Sequence, residues 1–303
     1  MTTNPWQGRT AVLTGAASGF GLETARLAAS KGMNIVMADV MEEPLAAAVR
    51  QIEATGVQVL PFKCDVRHAA EIEALGAATF ARFGAPHFVF NNAGVGAGGL
   101  IWEHTARDWE WVMGVNVMGV AHGVRVFTPM MLAAEKADPS FAGHIVNTAS
   151  MAGLVSMPNM GVYNVSKHAV VTLSETLYQD LALVSDRVHA HVLCPYFVPT
   201  GIAHSERARP QDAQEDDRPA TLSQRLAQGF IEKAVASGRV TAADVAQFTF
   251  DALDANRFYI YSHPKALAPV TTRAEDIVAA RNPSDPYAER PELGQQVRAS
   301  LRR

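Results

Sequence analysis

Cysteine is almost missing from this 303-residue sequence, which holds only Cys64 and Cys194. The two stand far apart without ligand-like spacing. A disulfide framework or a cysteine-held metal is therefore not expected, and two buried thiols in a reduced compartment is the simpler reading. An excess of charge of either sign is missing as well. With 26 Lys and Arg against 30 Asp and Glu, the formal net charge is −4. That balance gives no electrostatic case for nucleic acid or for an anionic membrane surface. No unbroken apolar run reaches the ~18 residues that a membrane span needs. Residues 1–8 lack an apolar segment preceded by basic residues, so no secretory leader is expected. Neither internal repeats nor low-complexity tracts are present. These absences predict a cytoplasmic globular protein without a metal, working on small molecules rather than on nucleic acid or membrane.

What is present is a 48% hydrophobic content, ample for a sizeable core. Short β-rich runs alternate with helical patterns, which argues for βαβ units and a parallel sheet. Strands are expected at Arg9–Thr14, Met33–Asp39, Val57–Lys63, His87–Asn91, His144–Thr148, Val188–Leu193 and Phe258–Tyr261. Helices are expected near 21–31, 42–55, 68–83, 106–131, 162–184 and 222–236, with another opened by Thr241 as N-cap, since Asp244 lies three residues on. This order predicts one α/β domain over residues 1–303, a single Rossmann-like doubly wound parallel sheet flanked by helices. Residues 203–219 are polar, charged and proline-containing and read as an extended surface loop near the substrate. Residues 264–303 read as a C-terminal extension packed on the surface or on a neighbouring subunit.

Between the first strand and first helix lies Thr14-Gly15-Ala16-Ala17-Ser18-Gly19-Phe20-Gly21. Glycines there allow a sharp turn and let a pyrophosphate approach the N–H groups at a helix N-terminus. The spacing is G-x-x-x-G-x-G rather than G-x-G-x-x-G. Asp39, at the end of the second strand, is placed to accept hydrogen bonds from the adenosine ribose hydroxyls of NAD. A 2′-phosphate ~4 Å from that carboxylate would cost on the order of 4 kcal/mol at an effective dielectric of ~20. No Arg or Lys sits in the glycine turn or directly after Asp39 to compensate, so NAD is expected over NADP.

Tyr163 and Lys167 are spaced i and i+4, on one face of a helix. A phenol near pKa ~10 is a poor base at neutral pH, and a neighbouring ammonium favours the phenolate. Ser150, which ends the strand-like HIVNTAS, lies 13 residues before Tyr163. Ligands of open parallel sheets bind beyond the carboxyl ends of the strands, so this hydroxyl can meet a substrate oxygen beside the tyrosine.

With these pieces together the sequence resembles the short-chain dehydrogenase/reductase family, in its main NAD(P)-dependent branch, over about residues 8–262. The resemblance implies that Gly15, Ser18, Gly19, Phe20 and Gly21 form the cofactor turn, and that Asp65 and Val66 contact the adenine. It implies that Asn92, Ala93 and Gly94, in Asn91-Asn92-Ala93-Gly94, shape the cofactor site. Asn116, in GVNVMG, matches a helix-borne asparagine implicated in holding a water between the lysine and solvent. Ser150, Tyr163 and Lys167 complete the catalytic set. Pro195, Val198 and Thr200 fit the segment that contacts the nicotinamide carboxamide. The family usually has Pro-Gly after the sixth strand, whereas here Tyr196 follows Pro195, and Tyr196 and Phe197 add bulk to the pocket.

The resemblance implies an NAD-dependent oxidoreductase acting on alcohols and carbonyls. Met151, Met157, Tyr196 and Phe197 point to a hydrophobic, aromatic or alicyclic secondary alcohol and its ketone, although core packing accounts for any one of them equally well. An NADPH-linked ketoreductase is the alternative, disfavoured by Asp39. A catalytically silent cofactor-sensing protein should lose the tyrosine or the lysine, and both are present. Helices near 106–131 and 162–184 resemble those that build family homodimers and homotetramers, or they belong to the intrachain core.

Overall fold

The computed structural model describes residues 4–211 and 218–302. Seven parallel strands form one sheet in the order β3-β2-β1-β4-β5-β6-β7. They are β1 (Thr10–Thr14), β2 (Asn34–Asp39), β3 (Val59–Lys63), β4 (Phe88–Asn91), β5 (Gly143–Thr148), β6 (Val188–Cys194) and β7 (Tyr259–Tyr261). The expected doubly wound α/β architecture is what forms. Its strand order reverses between β1 and β4, which opens a crevice at the carboxyl edge there.

The strands alternate their side chains between two cores. On β1, Leu13 faces one core and Val12 the other; on β2, Ile35 and Met37 oppose Val36 and Ala38; on β4, Phe88 and Phe90 oppose Val89. Both faces are apolar because helices cover both, as a parallel sheet requires. The first face packs against α1 (Gly19–Ser30), α2 (Glu42–Glu53) and α8 (Ala242–Asp254). The second is covered by α3 (Ala69–Phe83), α5 (Gly119–Ala137) and α6 (Gly161–Ala182). Thr241 caps α8 as expected, with its hydroxyl accepting from Asp244 N and the Asp244 carboxylate accepting from Thr241 N.

The expected helix over 106–131 is longer and not uniform. α4 (Ala106–Met113) runs through a π-helical turn at Gly114–Met118 into α5. By length and composition alone, Ala106–Ala137 is apolar enough to cross a membrane. A search for unbroken apolar runs misses it because Arg125 and other polar residues interrupt the pattern. Its buried residues, among them Val120, Phe127 and Met131, sit in the cores beside the sheet.

The region read as a surface loop is partly ordered. Gly201–Ala208 winds into 3₁₀ turns opened by Thr200, whose hydroxyl accepts from Ile202 N at 3.4 Å. Residues 212–217 of that loop lie outside the described residues. Beyond it come α7 (Leu222–Ala236), then, within the extension, α9 (Ala268–Val278) and α10 (Pro291–Leu301). The link between α9 and α10 is knotted by buried Asp276. Its carboxylate accepts from Arg281 Nε at 2.9 Å and from the Ser284 hydroxyl at 2.7 Å.

Candidate active site

A cavity of about 570 Å³ opens at the carboxyl edge, over the point where the strand order reverses. Its floor is the turn from β1 into α1. Gly15 and Gly19 take left-handed φ values of +64° and +55°, which a side chain would strain. A Cβ on Gly21 would collide with the Gly15 carbonyl, so this glycine lets α1 close onto the strand. Gly21 lies behind the cavity; Gly15, Ser18, Gly19 and Phe20 line it. Ser18 is the N-cap of α1, yet its side chain makes no capping bond. The uncovered helix N-terminus and an idle hydroxyl together fit a phosphate.

Asp39 lines the same cavity at the end of β2. Its Oδ2 accepts from Ala17 N and its Oδ1 from Met41 N, both at 3.0 Å. Burial raises its pKa above the ordinary 3.8, while those backbone donors and the positive charge of Arg207 pull it back. Neither the glycine turn nor the residues directly after Asp39 carry an Arg or Lys; Arg207, far along the chain, acts on the carboxylate through the fold. Asp65 and Val66 line the cavity beside Asp39. The Asp65 carboxylate is already engaged by Arg67, whose Nε and Nη2 donate at 2.9 and 2.7 Å to Oδ2.

The Asn-Asn-Ala-Gly segment is a junction. Thr14 Oγ1 accepts from the N–H groups of Asn92 and Ala93 at 3.0 and 3.1 Å, and Asn92 Nδ2 donates to Thr14 O at 3.0 Å. Gly94 lies against Lys167 Nζ, where an added Cβ would stand 3.4 Å away. Asn116 is fully buried inside the π-turn and does not reach the cavity. Its Oδ1 accepts from Val95 N at 2.8 Å, while Nδ2 donates to Val95 O and Ser166 Oγ, each at 3.0 Å. All three side-chain bonds go to protein, so the amide acts by pinning the segment after Gly94 to α6. A π-turn at a working site is a recurrent placement.

Ser150, Tyr163 and Lys167 meet on the cavity wall. Ser150 caps the short turn Met151–Gly153, accepting from Ala152 N at 3.1 Å. Its hydroxyl faces that of Tyr163 and draws the phenol's pKa down. Lys167 Nζ lies 5.7 Å from the Tyr163 ring centre and donates to Thr148 O at 2.9 Å. The sign of the phenol's shift reverses the sequence expectation. Burial holds Tyr163 above the ordinary 10.0, and Lys167 is itself lowered to about 8 by burial, partly offset by Cys194. In this cavity desolvation outweighs the Ser150 hydrogen bond that favours the phenolate.

Pro195, Val198 and Thr200 line the cavity after β6. Thr200 packs on the glycine turn, within 3.5 Å of where a Cβ on Gly19 would be. Met151, Met157, Tyr196 and Phe197 all line the same cavity. Tyr196, in the family's glycine position, packs edge-on against Phe197 with ring centres 4.7 Å apart. Its N–H donates to Ser262 Oγ at 2.9 Å.

Several lining residues had been missed. Trp111 comes from α4, Phe230 and Ile231 from α7, and Lys265, Pro269 and Glu289 from the extension. The α7 residues carry a readable signal, an apolar stripe through Ala227, Ile231 and Val235 at helical spacing. Nothing local marks the others.

Comparison with known proteins agrees with this geometry. A family model described as short chain dehydrogenase matches residues 9–211. A crystal structure of a short-chain dehydrogenase/reductase from Burkholderia phymatum, in complex with NAD, superposes with a TM-score of 0.89 at 52% identity, covering 93% of this chain and 98% of that one. A "CLA biosynthesis dehydrogenase/reductase" from Lactiplantibacillus plantarum is 34% identical over 88% of this chain and 92% of its own. A 1-deoxy-11-beta-hydroxypentalenate dehydrogenase from Streptomyces avermitilis is 31% identical over 89% of this chain and 90% of its own.

Proposed function

The chain belongs to the short-chain dehydrogenase family, and on that premise we propose that it interconverts a hydrophobic secondary alcohol, aromatic or alicyclic, and its ketone with NAD. The observation that carries this reading is the meeting of Ser150, Tyr163 and Lys167 in a cavity that apolar side chains such as Met157, Phe197 and Phe230 also line. NAD, when bound, supplies the hydride acceptor for oxidation. The residues that fit it are the glycine turn, idle Ser18 and Asp39, with Val198 and Thr200 at the nicotinamide end. Preference over NADP follows from the Asp39 carboxylate, which disfavours a 2′-phosphate.

The chain's own groups handle the proton. The substrate hydroxyl donates to Tyr163 Oη, and Ser150 Oγ, facing the same phenol, holds the substrate oxygen in place. Tyr163 in its phenolate form takes the proton as hydride leaves the carbon, and the resulting phenol returns it in reduction. Lys167, buried at 3% exposure, keeps positive charge behind the phenol and offers N–H donors toward the cofactor ribose. Asn116 fixes the loop that flanks Lys167.

Substrate class is supported by the lining. Trp111, Met157, Tyr196, Phe197, Phe230 and Ile231 offer aromatic and flexible apolar surface and few polar contacts. The hydroxylated compound in the name of the Streptomyces relative is in keeping with it. Assembly as a homodimer or homotetramer is supported by apolar side chains left exposed on the turn before α4, on the π-turn and on α6: Trp102 at 76%, Met118 and Val165. Free, buried Cys64 and Cys194 suit a reducing cytoplasm.

A panel of aromatic, alicyclic and short polar secondary alcohols, incubated with NAD and followed at the NADH absorbance, tests the reading. Turnover is expected for the hydrophobic members. Turnover restricted to small polar alcohols, or to primary alcohols, would overturn it.

A further inference from the structure

The 3₁₀ segment after β6 carries Arg207, which no motif points to, over the cofactor half of the cavity. Arg207 Nη1 donates to Gly201 O at 3.0 Å. A Cβ on Gly201 would collide with the guanidinium, so the bare glycine is what lets the side chain fold back on its own turn. Gly201 follows Thr200, which packs on Gly19 of the cofactor turn. Arg207 lines the cavity together with Gly15, Ser18 and Asp39. Its positive charge acts on the Asp39 carboxylate and favours the ionised form.

The charges leave this arginine a specific task. Among the described residues, the cations lining the cavity are Arg67, Lys167, Arg207 and Lys265. Arg67 is clamped on Asp65, and Lys167 is held at Thr148 O behind the phenol. Lys265 comes from the extension. A dinucleotide brings two negative charges on its diphosphate to the glycine turn, beside a buried Asp39. Backbone N–H groups and a helix N-terminus meet them on one side. The same cavity also carries the planar Arg207 guanidinium, a group suited to paired phosphate oxygens.

We propose that Arg207, braced on Gly201 O, binds the diphosphate of the dinucleotide from the side opposite the glycine turn. This rests on the NAD reading above and goes beyond it by naming the residue that closes the cofactor site.

The test uses the full chain and three probes: NADH, ADP and adenosine, with dissociation constants from NADH fluorescence and from competition against it. Arg207→Ala should weaken NADH and ADP alike by roughly ten- to a hundredfold while leaving adenosine unchanged, and Arg207→Lys should lose less. Because Arg207 is exposed, the variants should fold as the parent does. Unchanged ADP binding in Arg207→Ala, or an equal loss for adenosine, would overturn the assignment. So would a loss confined to the KM of the alcohol, which would place Arg207 on the substrate. The parent enzyme's turnover with the alcohol panel is read separately. A parent that turns over while Arg207→Ala binds ADP normally sinks only this proposal; a parent that binds NADH yet oxidises none of the panel sinks only the substrate reading.

Discussion

Removing the Asn116 amide should cost this protein both stability and turnover, in an amount the hydrogen bonds set. The side chain meets Val95 N at 2.8 Å, and Val95 O and Ser166 Oγ at 3.0 Å, with no exposure to solvent. In Asn116→Ala, Ser166 keeps a second partner, since its hydroxyl donates to Tyr163 O at 2.8 Å. The N–H and carbonyl of Val95 do not. Two buried polar groups left without partners cost roughly 1–3 kcal/mol each, so the loss is on the order of 4 kcal/mol. Urea unfolding followed by fluorescence and by circular dichroism reads it directly. Val95 adjoins Gly94, which flanks Lys167 Nζ, so kcat should fall at least about tenfold, beyond what instability explains at low temperature. A destabilisation below about 1 kcal/mol with normal kcat would refute the view that this amide pins the site.

Two further outcomes follow from the electrostatics. His191 is fully buried, shares a 3.0 Å hydrogen bond with His144 and is lowered to about 4, chiefly by burial. The unfolded chain binds the proton from about pH 6.5, so stability should fall as pH drops below 6.5 and level off near 4. At pH 5 the His191 contribution is about 2 kcal/mol, with His144 adding in the same direction, and a urea midpoint equal at pH 7.5 and 5 would contradict it. Asp39→Ser removes the carboxylate that opposes a 2′-phosphate, so the ratio of NADPH to NADH use should rise by at least about tenfold in kcat/KM. An unchanged ratio would remove Asp39 from cofactor choice.

The sheet was legible because its physics is local. β1, β2 and β4 are covered on both faces, so each reads as a short, nearly continuous apolar run, TAVLT, NIVMAD and FVFN. The Thr241 cap was legible for the same reason. So were Gly15, Gly19 and Gly21, whose spacing reports a backbone need. The π-turn around Asn116 was not, since it keeps the helical pattern and shows only in the bonding to Val95 and Ser166. The sign of the Tyr163 shift is not legible in the i, i+4 spacing because burial, which sets it, is a property of the assembled cavity. Arg207, Trp111 and the Lys265 and Glu289 of the extension reach the cavity from distant segments, and no local spacing records that.

Turnover and cofactor affinity of Tyr163→Phe, measured side by side, bear most directly on the claim that this phenol moves the proton. Removing one oxygen should lower kcat by roughly 10²–10⁴-fold, with NADH binding within about threefold of the parent protein. Turnover kept within about tenfold of the parent would show that another group carries the proton.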